Sequence, residues 1–102
     1  MIERHVTFHL IPGKAETFET FFGSEYAPAM AAQPGFCGAE LLSPIEADGS
    51  LVMLLRFSSL ETAQAWRESA VHKRLSPTLK ALYQTNEVRV FEVLSERPQV
   101  PA

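Results

Sequence analysis

The chain has 102 residues, 46% hydrophobic and 21% charged, the composition of one ordinary globular domain and too short for two. Nine Lys and Arg against twelve Asp and Glu give a net charge of −3, so no general field attracts phosphate backbones or anionic lipid, and nucleic acid is excluded as an expected partner. The longest apolar run, Leu51 to Leu55, is far below the ~18 residues of a membrane span, the start Met1-Ile2-Glu3-Arg4 lacks a signal-peptide core, and Cys37 stands alone; a cytoplasmic protein without disulfide or structural zinc is expected.

Ile2 to Leu10 alternates, with Ile2, Val6, Phe8 and Leu10 on one side and Glu3, His5, Thr7 and His9 on the other, as a half-buried strand does. Arg4 is the one charge on the apolar side. Pro12-Gly13 ends the strand, and from about Lys14 the spacing of Ala15, Phe18 and Phe22, with Phe21 and Tyr26 alongside, predicts a helix. Pro28 should kink or end it near Ala27, after which Ala29 to Ala32 can resume a turn before Gln33-Pro34-Gly35. Strands are predicted over Phe36 to Ile45 and Leu51 to Phe57, joined by a hairpin loop with an Asp48-Gly49 signal. Ser58-Ser59-Leu60-Glu61 has the form of a capping box, with Ser58 as cap and Glu61 reaching back. The helix it starts should loosen around Ser69-Ala70 and continue to Leu75, with Ser76-Pro77 opening another short turn. Glu87 to Leu94 reads as the last strand, which closes a single domain over residues 1–94 and leaves 95–102 as a proline-containing tail.

Strand, helix, strand, hairpin, strand, helix, strand is the ferredoxin-like βαββαβ plan of an α+β protein. Right-handed crossovers put both helices on one face of a four-stranded antiparallel sheet and leave the other face uncovered by this chain. Loop ends at Ile45 and Leu51 pair Leu42 with Leu54 and Glu40 with Arg56. Leu51, Met53, Leu55 and Phe57 then lie under the helices beside Leu41 and Ala39. The opposite face mixes Val52, Leu54 and Leu42 with Arg56, Glu40, His5, Thr7 and His9. That surface is too apolar to face water, so a homodimer joined sheet to sheet is expected.

Few side chains offer chemistry. His5 and His9 share one side of a strand, but four residues at ~3.3 Å each put their α-carbons roughly 13 Å apart, too far to share a metal within one chain. On an unbroken helix Trp66 and His72 would point about 120° apart. A break near Ser69 turns both toward a cavity between helix and sheet, with Trp66 as an aromatic wall and His72 as a base titrating near neutrality; without it they read as a core tryptophan and a surface histidine. The stripe of Phe18, Phe21 and Phe22 suits a core, whereas Tyr26, beside the Pro28 kink, has a hydroxyl that needs a partner. Arg67, Lys73, Arg74 and Lys80 read as a solvated helix face or as an attraction for an acidic substrate, and Cys37 as small core filler.

The strand His5-Val6-Thr7-Phe8-His9, the segment Tyr26-Ala27-Pro28-Ala29-Met30 leading into Gln33-Pro34-Gly35-Phe36, and Ala65-Trp66-Arg67 followed by His72 resemble the antibiotic biosynthesis monooxygenase (ABM) family of dimeric α/β-barrel proteins. The likeness spans roughly residues 2 to 94. It implies a homodimer whose two sheets form a barrel, and a pocket for a small hydrophobic or aromatic ligand between each sheet and its helices. It also implies oxidation of a phenol or quinol by dioxygen with no metal, flavin or other cofactor. His72 is then the candidate base and Trp66, Tyr26 and Phe22 the candidate substrate-binding residues, with His5, His9 and Arg56 as an alternative site between the sheets. A related branch degrades haem with an asparagine on the first strand. The matching position here is Val6, and His72 follows Trp66 too closely for that branch's ligand spacing, so haem degradation is not implied. The fold also serves non-catalytic binding or stress-response dimers, which the residues leave open.

Overall fold

The computed structural model describes residues 1–97, so most of the proline-containing tail lies outside the described residues. The elements are β1 (Ile2–Leu10), α1 (Ala15–Phe21), a π-helical turn (Phe22–Tyr26), α2 (Ala27–Ala31), β2 (Phe36–Leu42), β3 (Ser50–Phe57), α3 (Leu60–Glu68), α4 (Ala70–Lys80) and β4 (Tyr83–Glu92). The strands form one antiparallel sheet in the order β2-β3-β1-β4, which is the ferredoxin-like α+β arrangement. Phe8, Met53, Leu55 and Phe57 of the sheet pack with Phe18, Met30, Trp66, Leu75 and Leu79 of the helices in one core. No helix among the described residues is long and apolar enough to cross a membrane.

The first helical stretch accommodates Pro28 by widening rather than ending. The Ala27 amide donates to the Phe22 carbonyl five residues back, and Pro28 then falls in the first turn of α2, where an amide hydrogen is not needed. The wide turn brings Phe21 and Tyr26, five residues apart, onto the same buried side with ring centroids 6.0 Å apart, and leaves Phe22 half-buried.

The hairpin departs from the expected register by two residues. Leu42 pairs with Val52 and Glu40 with Leu54, and Gly38 lies opposite Arg56. The strands end at Leu42 and begin again at Ser50, so Ile45, fully exposed, belongs to the loop. A two-residue shift preserves the alternation, which is why Leu51, Met53, Leu55 and Phe57 are buried as expected. Other local readings are corrected as well. The helix cap is Ser59, whose hydroxyl accepts from the Thr62 amide at 3.2 Å while the Ser59 amide donates to Thr62 Oγ1 at 3.2 Å; Ser58 and Glu61 do not form the box. Helix α4 runs on through Pro77, because the carbonyl that the proline leaves unbonded, that of Lys73, belongs to an exposed residue that water can serve. Strand β4 starts at Tyr83, paired with Leu10, rather than at Glu87. Cys37 is exposed on β2 and does not fill the core.

The uncovered sheet face carries a charge network set among apolar side chains. His5 Nε2 donates to Glu3 Oε1 at 2.7 Å and Arg56 Nε donates to Glu3 Oε2 at 2.9 Å. The His5 hydrogen bond and the Arg56 guanidinium hold the Glu3 carboxyl below its ordinary value against the opposing pull of burial. The His5 ring packs on Phe91 at 4.8 Å, and the Arg89 guanidinium sits 5.0 Å from the centre of the same ring.

Candidate functional site

The break between α3 and α4 assembles the site. Ser69 adopts an extended conformation, φ −66° and ψ 151°, which stops one helix and starts the next. Its hydroxyl donates to the Trp66 carbonyl at 2.7 Å and accepts from the His72 amide at 3.2 Å, so one side chain ties the end of α3 to the start of α4. The bend cancels the angular separation that a straight helix would impose. Trp66 and His72 meet edge to face with ring centroids 5.0 Å apart. Tyr26, brought inward by the π-helical turn, completes the cluster at 5.5 Å from Trp66 and 6.2 Å from His72.

Tyr26 and His72 form part of the wall of a cavity of about 190 Å³ between the helices and the sheet. Its floor is Arg4, Val6 and Phe8 of β1 with Met53 and Leu55 of β3, and Arg67, Lys80 and Asn86 stand at its rim. Trp66 stands behind Tyr26 and His72, 1% exposed, and its Nε1 is the one fully buried side-chain nitrogen or oxygen without a hydrogen-bond partner among the described residues.

Burial pushes the Tyr26 hydroxyl up to about 12, so it remains protonated and acts as a hydrogen-bond donor rather than a base. Burial, reinforced by Arg67, Arg4 and Lys80, pulls His72 below its usual value, which leaves a neutral imidazole at pH 7 that can accept a proton. Arg4 is 9% exposed, and its side chain makes no hydrogen bond or ion pair with any described residue. No lining residue of the cavity is an aspartate or glutamate.

The candidate residues divide into separate places. Trp66, Tyr26 and His72 come together, whereas Phe22 faces a different groove, between α1 and β2, with Glu19 and Leu41. His5 and Arg56 converge on Glu3 on the uncovered sheet face, and His9 lies apart with its Nε2 3.1 Å from Glu87 Oε1. No group of three His, Cys, Asp or Glu among the described residues is placed to hold a metal ion. Of the four basic helix residues, Arg67 and Lys80 reach the cavity, while Lys73 and Arg74 do not line it and are exposed. Arg4 was legible in the sequence only as a charge on the wrong side of a strand; the structure makes it the cavity's buried cation.

Comparison with known proteins gives a consistent family and fold. A family model described as antibiotic biosynthesis monooxygenase matches residues 1–77. The structure is similar to SnoaB, a cofactor-independent oxygenase from Streptomyces nogalater, with a TM-score of 0.82 and 24% identity over 96% of this chain and 97% of that one. It is also similar to Rv0793 from Mycobacterium tuberculosis, with a TM-score of 0.80 and 18% identity over 95% of this chain and 98% of that one. For PA3566 from Pseudomonas aeruginosa the TM-score is 0.76, at 19% identity over 92% and 94% of the two chains. No curated protein matches the sequence.

Proposed function

The chain belongs to the antibiotic biosynthesis monooxygenase family, and on that premise we propose that it oxidises a small phenol with dioxygen in the cavity beside Tyr26 and His72, without metal or flavin. The likeness to SnoaB, described as a cofactor-independent oxygenase, supports the reaction type. The observation that carries the assignment to this cavity is the edge-to-face placement of Trp66, Tyr26 and His72 against a pocket with a neutral imidazole in its wall.

The chemistry requires little of the protein beyond positioning and proton transfer. Neutral His72 takes the phenolic proton, which makes the ring a better electron donor, and the uphill passage of one electron to dioxygen is drawn forward by the radical coupling that follows. The radical pair joins at the ring carbon para to the oxygen, and the peroxide formed takes a proton from the His72 imidazolium. Loss of the ring hydrogen as a proton, with cleavage of the O–O bond, leaves a quinone and one water; phenol plus O2 becomes quinone plus H2O. The Tyr26 hydroxyl donates to substrate oxygen, and Val6, Phe8, Met53 and Leu55 keep out bulk water that would protonate the anion.

The uncovered sheet face supports a homodimer within the same reading. Leu42 and Phe91 are exposed there beside Val52 and Leu54. The test is oxygen uptake with a single-ring phenol whose para position is free, 3-methylphenol or 3-hydroxybenzoate, under labelled dioxygen. One O2 consumed per phenol and one labelled oxygen in the quinone are expected, and His72→Ala should lower the rate by a factor of about 100 or more. No uptake by the native protein would leave a cavity that binds without turnover.

A further inference from the structure

The oxygenase reading does not explain why a buried arginine lies in the cavity floor. Arg4 sits in the middle of β1, between Leu55 on β3 and Val90 on β4, among side chains that otherwise form the apolar underside of the helices. It is nine-tenths buried, and no carboxylate among the described residues faces it. The nearby formal charges are of its own sign, with Arg67 and Lys80 at the rim of the same cavity. A guanidinium this nearly buried, open only to the cavity and without a protein partner, is costly and is tolerated where a ligand supplies the missing charge.

Size and wall chemistry narrow that ligand. A cavity of about 190 Å³ is only slightly larger than the ~150 Å³ space that holds benzene and is well below the 300–1,000 Å³ of sites for drug-sized molecules, so one ring with one or two substituents fills it. The aromatic residues Tyr26, Phe8, Tyr83 and His72 line that space. The planar fork of a guanidinium matches a carboxylate through two parallel hydrogen bonds, and one buried positive charge is matched by one negative charge.

We infer that the cavity takes a single-ring aromatic carboxylate, its carboxylate clamped by Arg4 at the floor and its ring against Tyr26 and His72. The inference rests on the cavity being the substrate site and deepens that reading by naming the substrate class as hydroxybenzoate-like. The carboxylate anchors the ring so that a phenolic oxygen across it faces His72, while Arg67 and Lys80 draw the anion toward the entrance.

The experiment is calorimetric titration of the full chain at pH 7 with 3-hydroxybenzoate, its neutral amide 3-hydroxybenzamide, and phenyl phosphate, for the native protein and for Arg4→Met, Arg4→Lys and Arg67→Met. The native protein should bind the acid about tenfold or more tightly than the amide. Arg4→Met should erase that preference while leaving amide binding within about threefold, Arg4→Lys should keep part of it, and Arg67→Met should change it by less than about threefold. Equal binding of acid and amide by the native protein, no binding of either, tighter binding of phenyl phosphate, or a preference lost through Arg67 but not Arg4 would each overturn the inference. Arg4-dependent binding of the acid without oxygen uptake upholds the anion site and sinks the oxygenase reading. Uptake that is as fast on 3-hydroxybenzamide as on the acid does the reverse.

Discussion

Replacing Arg4 by methionine should make the unliganded protein more stable, although it removes the feature that selects the ligand. Arg4 is 9% exposed and its guanidinium makes no ion pair or hydrogen bond with the described residues, so the folded state carries the desolvation of a cation with little electrostatic return. Such a penalty amounts to several kcal/mol per ion, reduced here by the opening toward the cavity. Methionine keeps most of the apolar stem that packs against Leu55 and Val90 and leaves no charge to desolvate. The net gain should be about 1–3 kcal/mol, which for a chain of this length raises Tm by roughly 5–20 °C. Urea and thermal unfolding of native protein and variant, at one protein concentration, measure it. A second arm adds 3-hydroxybenzoate at about 100 times its Kd, which should stabilise the native protein by about 2.7 kcal/mol and the variant hardly at all. Loss of more than about 1 kcal/mol in unliganded Arg4→Met would refute the reasoning, because it would mean that the guanidinium is satisfied and part of the scaffold.

Four further outcomes follow from the structure. Because burial and then Arg67 depress His72, kcat/KM for oxygen uptake should be flat near neutrality and fall with acidification through a pKa below 6.5, and Arg67→Met should move that limb toward 6.5. The unfolded chain takes up the His72 proton near 6.5 and the folded chain only at lower pH, so stability should decline as pH falls between those two values; unfolding midpoints across that window check the sign. A Cβ at Gly35, where φ is +80°, would lie 2.5 Å from Thr62 Cβ in the capping box, so Gly35→Ala should cost about 2–3 kcal/mol in denaturant unfolding, and an unchanged midpoint would contradict it. Leu54→Asp on the uncovered sheet face should yield a folded monomer by analytical ultracentrifugation if sheets pair there, and a native protein that already sediments as a monomer would remove the dimer.

The strand faces were legible because alternation has period two and survives an error in register. The hairpin pairing differs from the pattern-based one by two residues, since Ile45 points into solvent and lengthens the loop, yet no side chain of β3 changes face. Neighbouring alternatives of similar strength were not resolved by local sequence. Ser58 and Ser59 both offer a hydroxyl for a helix start, and the outcome turned on Thr62, rather than Glu61, reaching back to the cap. The early start of β4 depends on backbone pairing of Tyr83 with Leu10, a contact between distant residues that the polar run Gln84-Thr85-Asn86 does not announce. Cys37 was misread because it falls at the irregularity between Phe36 and Gly38, where the register with β3 shifts and the residue has no partner strand position.

The site shows why its parts were visible singly and its character was not. Pro28 and Ser69 are both interruptions of helical periodicity, and each turns an aromatic ring inward: the wide turn before Pro28 brings in Tyr26, and the bend at Ser69 brings His72 onto Trp66. Those interruptions can be read locally, so the aromatic cluster was within reach of the sequence. The charge of the cavity was not, because Arg4, Arg67 and Lys80 come from the first strand and from two helices more than sixty residues later, and only the sheet order that lays β1 beneath α4 makes them neighbours. A lone cation on an apolar strand face carries no meaning until its surroundings are known. Once they prove to be aromatic rings and other cations, with no carboxylate among the cavity's lining residues, the economical explanation is that the balancing charge arrives with the ligand.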